Sequence, residues 1–167
     1  HSKRLEEERR LLTAWKTTAT LYLQIYFPQD KGETFNEEKS SKILLAPYEW
    51  QEVKVPLPDP LGVRKHGLKV KPLNTNGMVH VSSFTFANPA TEETVWKIDN
   101  PEEFKKCQIS KDALPVSQED GLNLLVSGHD PLIHISPVEN IPDCPLELRI
   151  WIKVQTNQGE MKIHWDK

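Results

Sequence analysis

The chain has 167 residues, 37% of them hydrophobic and 27% charged, with a formal net charge of −3. Those figures fit one globular domain with an ordinary core, and they argue against global disorder and against a basic field able to hold a nucleic-acid backbone. Thirteen prolines against seven glycines favour many turns and strand ends over long helices.

The chain opens abruptly on His1-Ser2 and a charged run, as a piece of something larger would. Residues 1–18 read as a short helix, with Leu5, Leu12, Trp15 and Ala19 on one face and Glu8 interrupting it. So little apolar surface does not stand alone. The helix either docks on the domain that follows or ends a coiled coil, through which the chain would self-associate.

From residue 19 the period changes to two, and 19–167 reads as a single all-β domain. In TLYLQIYF, Leu21, Leu23, Ile25 and Phe27 alternate with Tyr22, Gln24 and Tyr26. The loop that follows carries Asp30, Glu33, Asn36, Glu37 and Glu38 without the fixed spacing of a calcium loop. Pro47 then separates two strands, and Val53, Val55 and Leu57 form an inward set ended by prolines. Leu68 and Val70 point inward, with Lys69 and Lys71 outward. Arg64, Lys65, Lys69 and Lys71 read first as a solvated strand face and only second as a polyanion site.

NTNG at 74–77 is a turn signal. After it Val79 and Val81 share one parity while Phe84 and Phe86 share the other, which requires a bulge or tight bend near Ser82-Ser83. EETVWKI is a further short strand. NPEEF is one helical turn, and DALPVSQED reads as loop. GLNLLVSG and PLIHISPV are two more strands. The clearest strand is LELRIWIKV, where Leu146, Leu148, Ile150, Ile152 and Val154 alternate with Glu147, Arg149, Trp151 and Lys153. TNQG turns it into a hairpin partner carrying Met161, Ile163 and Trp165. About nine short strands with turn chemistry between them predict an antiparallel two-sheet β-sandwich, jelly-roll-like in its winding.

Motifs for chemistry are sparse. The chain has no phosphate-binding glycine loop and no G-x-S-x-G elbow. Cys107 and Cys144 belong to no C-x-x-C pair and read most simply as reduced structural thiols of a cytoplasmic protein, with one disulfide left open. His129, Asp130 and His134 tempt a metal assignment, but an offset of five puts the two histidines on opposite faces of a strand. No metal or cofactor is expected, nor is a membrane span.

Trp151 stands out because its strand alternates so cleanly. It shares the outward parity of Glu147, Arg149 and Lys153, an arrangement suited to stacking on the apolar face of a sugar ring. The competing reading covers Trp151 with the N-terminal helix.

The run LYLQIYFPQDKGETFNEEKSSKILL, then YEWQEVKVPLP and HGLKVKPLNTNGMVHVSSFTF, resembles β-sandwich accessory domains of large bacterial cell-surface polysaccharide enzymes. The shared pattern is carried by Phe35, Trp50, Val53, Val55, Leu68, Val70, Pro72, Gly77, Val79, Val81 and Ser83. The run GHDPLIHISPV…LELRIWIKVQTNQGEMKIHWDK looks like the closing strands of such modules, and MKIHWDK echoes LQIYFPQDKG, as the start of a second module would. Trp50 and the valines look like framework. Where many such modules have Arg-x-Asp-Pro, this chain has Lys69-Val70-Lys71-Pro72, so no role resting on that Asp carries over.

The resemblance implies a non-catalytic module beside glycosyltransferase or methyltransferase domains of the same chain. Its partners would be a saccharide or polysaccharide and those neighbouring catalytic domains. Two other classes stay open: a structural or oligomerisation module without a ligand, and a hydrolase with a carboxylate pair in a concave sheet.

Overall fold

The computed structural model describes residues 20–28, 39–117 and 121–156. The expected helix over 1–18, the acidic loop residues Asp30, Glu33, Asn36, Glu37 and Glu38, and the partner strand with Met161, Ile163 and Trp165 lie outside the described residues. Eleven strands and two short helices are described: β1 (Tyr22–Tyr26), β2 (Ser40–Leu44), β3 (Gln51–Pro56), α1 (Pro60–His66), β4 (Leu68–Lys71), β5 (Gly77–Ala87), β6 (Thr94–Ile98), α2 (Pro101–Phe104), β7 (Gln108–Ile109), β8 (Ala113–Ser117), β9 (Leu122–Val126), β10 (Ile133–Ile135) and β11 (Glu147–Thr156).

Two antiparallel sheets stack about one core. The first has the order β2-β1-β4-β10-β7 and the second β3-β11-β5-β9-β8. On the side of β5 away from β11, β9 pairs with residues 77–81 and β6 with residues 84–87. Strands β1–β2, β5–β6 and β8–β9 pair with their chain neighbour; every other connection between consecutive strands passes from one sheet to the other. The turn signal NTNG is such a passage, joining β4 in the first sheet to β5 in the second.

Alternation decides which side chains meet in the middle. Leu23, Ile25, Leu68, Val70, Ile133 and Ile135 from the first sheet join Val53, Val55, Leu124, Leu148, Ile150 and Ile152 from the second in one buried cluster. Each such side chain contributes about 1.5–3 kcal/mol by leaving water, so the cluster dominates the stability of the domain.

The parity switch in β5 is a bulge. Trp151 pairs with Ser83 and Ile152 with Val81, which leaves Ser82 as the extra residue. The single insertion lets Val79 and Val81 on one side of it, and Phe84 and Phe86 on the other, all point into the core.

The expected turn at NPEEF is α2, and Asn100 caps its start. Asn100 Oδ1 accepts from the Glu103 N–H at 3.0 Å, and Asn100 Nδ2 donates to Glu103 Oε1 at 2.6 Å.

Three elements depart from the sequence reading, the first being the two-residue strand β7 in a stretch with no expected strand. PLGVRKH forms α1, opened by Pro60 at its first position and closed by Gly67 at φ +71°. A Cβ on Gly67 would lie 1.9 Å from the Ile135 carbonyl oxygen, so β4 can leave the helix beside β10 only through a glycine. Arg64 and Lys65 therefore belong to α1 and not to the strand carrying Lys69 and Lys71, and the Arg64 Nε donates to the Ile141 carbonyl at 2.9 Å. ALPVS, expected as loop, is strand β8. Its pairing with β9 skips a residue between Pro115 and Ser117, the kind of irregularity by which an edge strand accommodates a proline.

Candidate functional site

Strand β11 lies between β3 and β5, and its register lays out the outer face of the second sheet. Trp151 is flanked by Glu52 and Ser83, Arg149 by Lys54 and Thr85, and Glu147 by Pro56 and Ala87. Lys153 stands opposite His80, which faces Asn123 in β9. Leu148, Ile150, Ile152 and Val154 anchor the strand from below in the core. That burial fixes the outward direction of the intervening side chains. Trp151 is 43% exposed, as its parity predicts.

The four residues singled out by parity do not form one cluster of presented groups. Arg149 Nε donates to Glu147 Oε1 at 2.7 Å, and Arg149 Nη2 lies 2.5 Å from Glu92 Oε2. Hydrogen bonds to Glu92 and then to Glu147 raise the guanidinium above its ordinary pKa. The Arg149 side chain is only 15% exposed. Arg149 Nε and Nη2 each lie against a carboxylate, so Arg149 and Glu147 brace one another beside Trp151.

The loop between β5 and β6 delivers Glu92. Asn88 Oδ1 accepts from the Ala90 N–H at 2.9 Å, and the Glu92 N–H donates to the Asn88 carbonyl at 2.8 Å. Glu92 itself adopts φ +62°.

A second exposed tryptophan joins this face. Trp50 immediately precedes β3, has the outward parity of Glu52 and Lys54, and is 48% exposed. It is not the framework residue that the family resemblance implies. Its loop is held at both ends. Gln51 Nε2 donates to the Ala46 carbonyl at 2.7 Å, and Gln51 Oε1 accepts from the Ala46 N–H at 3.1 Å. Exposed Tyr48 crosses to β11, its N–H donating to the Val154 carbonyl at 2.8 Å and its hydroxyl to the Thr156 carbonyl at 2.9 Å. Trp151 thus stands on β11 and Trp50 at the entry to the neighbouring β3. The odd offset between Trp50 and Val53 was the available signal, since it sets the two on opposite faces.

Flat apolar rings set beside Glu52 and Lys153 can pack against the C–H face of a sugar while neighbouring polar groups meet its hydroxyls.

The other candidates resolve differently. His134 contacts the Gln108 Oε1 at 3.4 Å and the His66 carbonyl at 3.3 Å, while the His129 carbonyl accepts from Lys71 Nζ at 3.3 Å. The Asp130 N–H donates to Asp112 Oδ2 at 3.0 Å. Among the described residues, no three His, Cys, Asp or Glu side chains gather as metal ligands. Cys107 and Cys144 are both free thiols. Burial pushes the Cys107 thiol up to about 11. It borders a 260 Å³ crevice lined also by Phe104, Ile109, Pro115 and Leu122, away from the tryptophan face. Among the described residues, no helix is long and apolar enough to cross a membrane.

No protein-family model, no curated protein and no solved structure matches the chain.

Proposed function

We propose that this domain is a non-catalytic carbohydrate-binding or positioning module of a cytoplasmic, multidomain bacterial polysaccharide-assembly protein. Its ligand face is the outer side of β3 and β11. The observation that carries the reading is the pair of exposed tryptophans, Trp50 and Trp151, on a face whose strongest charge is already neutralised by Glu92 and Glu147. A neutral or weakly charged glycan is the occupant this suits, because ring stacking tolerates many sugars and requires no countercharge. The frequent passage of the chain between sheets is read as jelly-roll-like winding, and neighbouring glycosyltransferase domains would supply the chemistry.

The test is a glycan array followed by titration calorimetry on the best oligosaccharide. Trp151→Ala or Trp50→Ala is expected to weaken binding at least tenfold with the melting temperature unchanged. A wild-type protein that retains no glycan overturns the reading.

A second reading, a structural or oligomerisation module, is favoured by one specific feature. Edge strand β8 exposes Leu114 and Val116, with exposed Leu125 opposite Leu114 on β9. Oligomeric mass before and after Leu114→Lys measures it: a dimer that becomes a monomer supports this reading, and a monomer in both cases sinks it.

A further inference from the structure

The outer face of the first sheet differs in kind from that of the second. Register places Lys42, Gln24 and Lys71 side by side across β2, β1 and β4. One pleat along, Ser40, Tyr26, Lys69, His134 and Gln108 form a second row across all five strands. Tyr22 and Leu44 begin a third. Although the chain carries 24 acidic residues against 21 Lys and Arg, no Asp or Glu occupies these outward positions.

Lys42, Lys71 and Gln24 on this face are held by neutral partners. Lys42 Nζ sits 5.1 Å from the centre of the Tyr22 ring, and Lys71 Nζ donates to a backbone carbonyl. Neither lysine forms an ion pair with a carboxylate of the described residues. Between them Gln24, only 1% exposed despite its outward parity, donates to Ser40 Oγ at 2.8 Å and accepts from the Tyr26 hydroxyl at 3.0 Å. The layer is therefore ordered before any ligand arrives, and its positive charge is not cancelled at Lys42 and Lys71.

We propose that this face binds an acidic saccharide, with Lys42 and Lys71 meeting its anionic groups and Tyr22 and Tyr26 lying against its rings. The two lysines are separated by two strand spacings, roughly 10 Å, so a chain running across the strands would meet them through anionic groups on alternate sugar units. A nucleic acid fits less well, since the net charge of −3 repels a long polyphosphate outside this one face. The site is independent of the tryptophan face, which lies on the other sheet.

The experiment titrates the full chain with galacturonate and heparin oligosaccharides, an uncharged dextran oligosaccharide and a single-stranded oligonucleotide. At least one acidic oligosaccharide is expected to bind, more weakly as salt rises, and dextran is not expected to bind at this face. Which acidic ligand binds better separates carboxylate from sulfate recognition. Lys42→Ala with Lys71→Ala should weaken the acidic ligand about tenfold, whereas Lys54→Ala with Lys97→Ala on the other sheet should not. Lys42→Gln with Lys71→Gln repeats the measurement should the alanine pair fail to fold. No acidic oligosaccharide bound, an equal loss in the control pair, or tighter binding of the oligonucleotide overturns the proposal. Trp151→Ala leaves this binding unchanged, so its failure and that of the tryptophan face are read separately.

Discussion

The two outer faces of the sandwich solve the same problem, covering a buried sheet, with opposite chemistry. On the second sheet most charge is paired within the face: Arg149 lies between Glu92 and Glu147, Lys54 lies 3.6 Å from Glu52, and Lys97 lies 3.4 Å from Asp99. What remains presented there is aromatic surface. On the first sheet the aromatic rings are half-buried tyrosines, and Lys42 and Lys71 project without an acidic partner among the described residues. An accessible ring surface and uncompensated charge are two different offers to a ligand, and the fold keeps them on opposite sides of one core.

The largest expected effect breaks the framework that separates them. Deleting Ser82 removes the bulge and slips one half of β5 by a residue. Either Phe84 and Phe86 or Val79 and Val81 must then turn outward. Losing two buried phenylalanines from the core costs about 5 kcal/mol or more, enough to unfold most single domains. Chemical denaturation is expected to show no cooperative transition for the deletion variant. A variant that melts like wild type would mean that the bulge does not set the register.

Next in size is the brace. Arg149→Met leaves the half-buried Glu147 without its partner and is expected to destabilise the domain by about 2 kcal/mol. Glu92→Gln is expected to cost less, because the Glu92 side chain is mostly exposed. A larger loss for Glu92→Gln than for Arg149→Met would show that the loop, and not the strand pair, holds the face together.

The strands of this fold were legible where one side of the chain is buried and the other is not. In β11 every second residue enters the core, so the outward parity of Trp151 could be read without knowing a single partner strand. The bulge was legible too, as four apolar residues in one strand that no unbroken period of two could bury together. Pairing was not legible: β11 meets β3 and β5 through contacts distant in sequence, and alternation does not choose among equivalent neighbours. Nor was the arrival of Glu92 at Arg149, which depends on a turn conformation at Asn88 to Glu93. Trp50 is readable by parity from its odd offset to Val53, although the resemblance implies a framework role. Strand β8 is not legible because Pro115 and its polar surroundings suggest a loop, and only its pairing with β9 makes it a strand.

The edge where the sheets meet provides a test of intermediate size. Cys107 precedes β7 at that edge, and its thiol is pushed from 9.0 to about 11 by burial alone. The folded state therefore keeps its proton more tightly than the unfolded chain does. That contribution is complete below pH 9 and is lost as pH rises from 9 to 11, at no more than about 1.4 kcal/mol per pH unit. Cys107→Ala is expected to flatten this alkaline decline in denaturation midpoints. At pH 8 a thiol reagent is expected to label half-buried Cys144 well before Cys107. Equal labelling rates would mean that the edge opens readily.

The smallest expected effect sharpens the comparison most. Trp151→Ala and Lys71→Ala each remove an outward side chain from a strand whose inward neighbours stay packed, so each is expected to change stability by less than about 0.5 kcal/mol. Trp151 makes no hydrogen bond among those described, and Lys71 donates only to the His129 carbonyl. Their folded populations would then be equal, and any difference in glycan binding would belong to the face and not to the fold. A marked loss of stability in Trp151→Ala would instead assign that indole to packing under a neighbouring segment, the competing reading of its parity, and the tryptophan face would cease to be a candidate ligand surface.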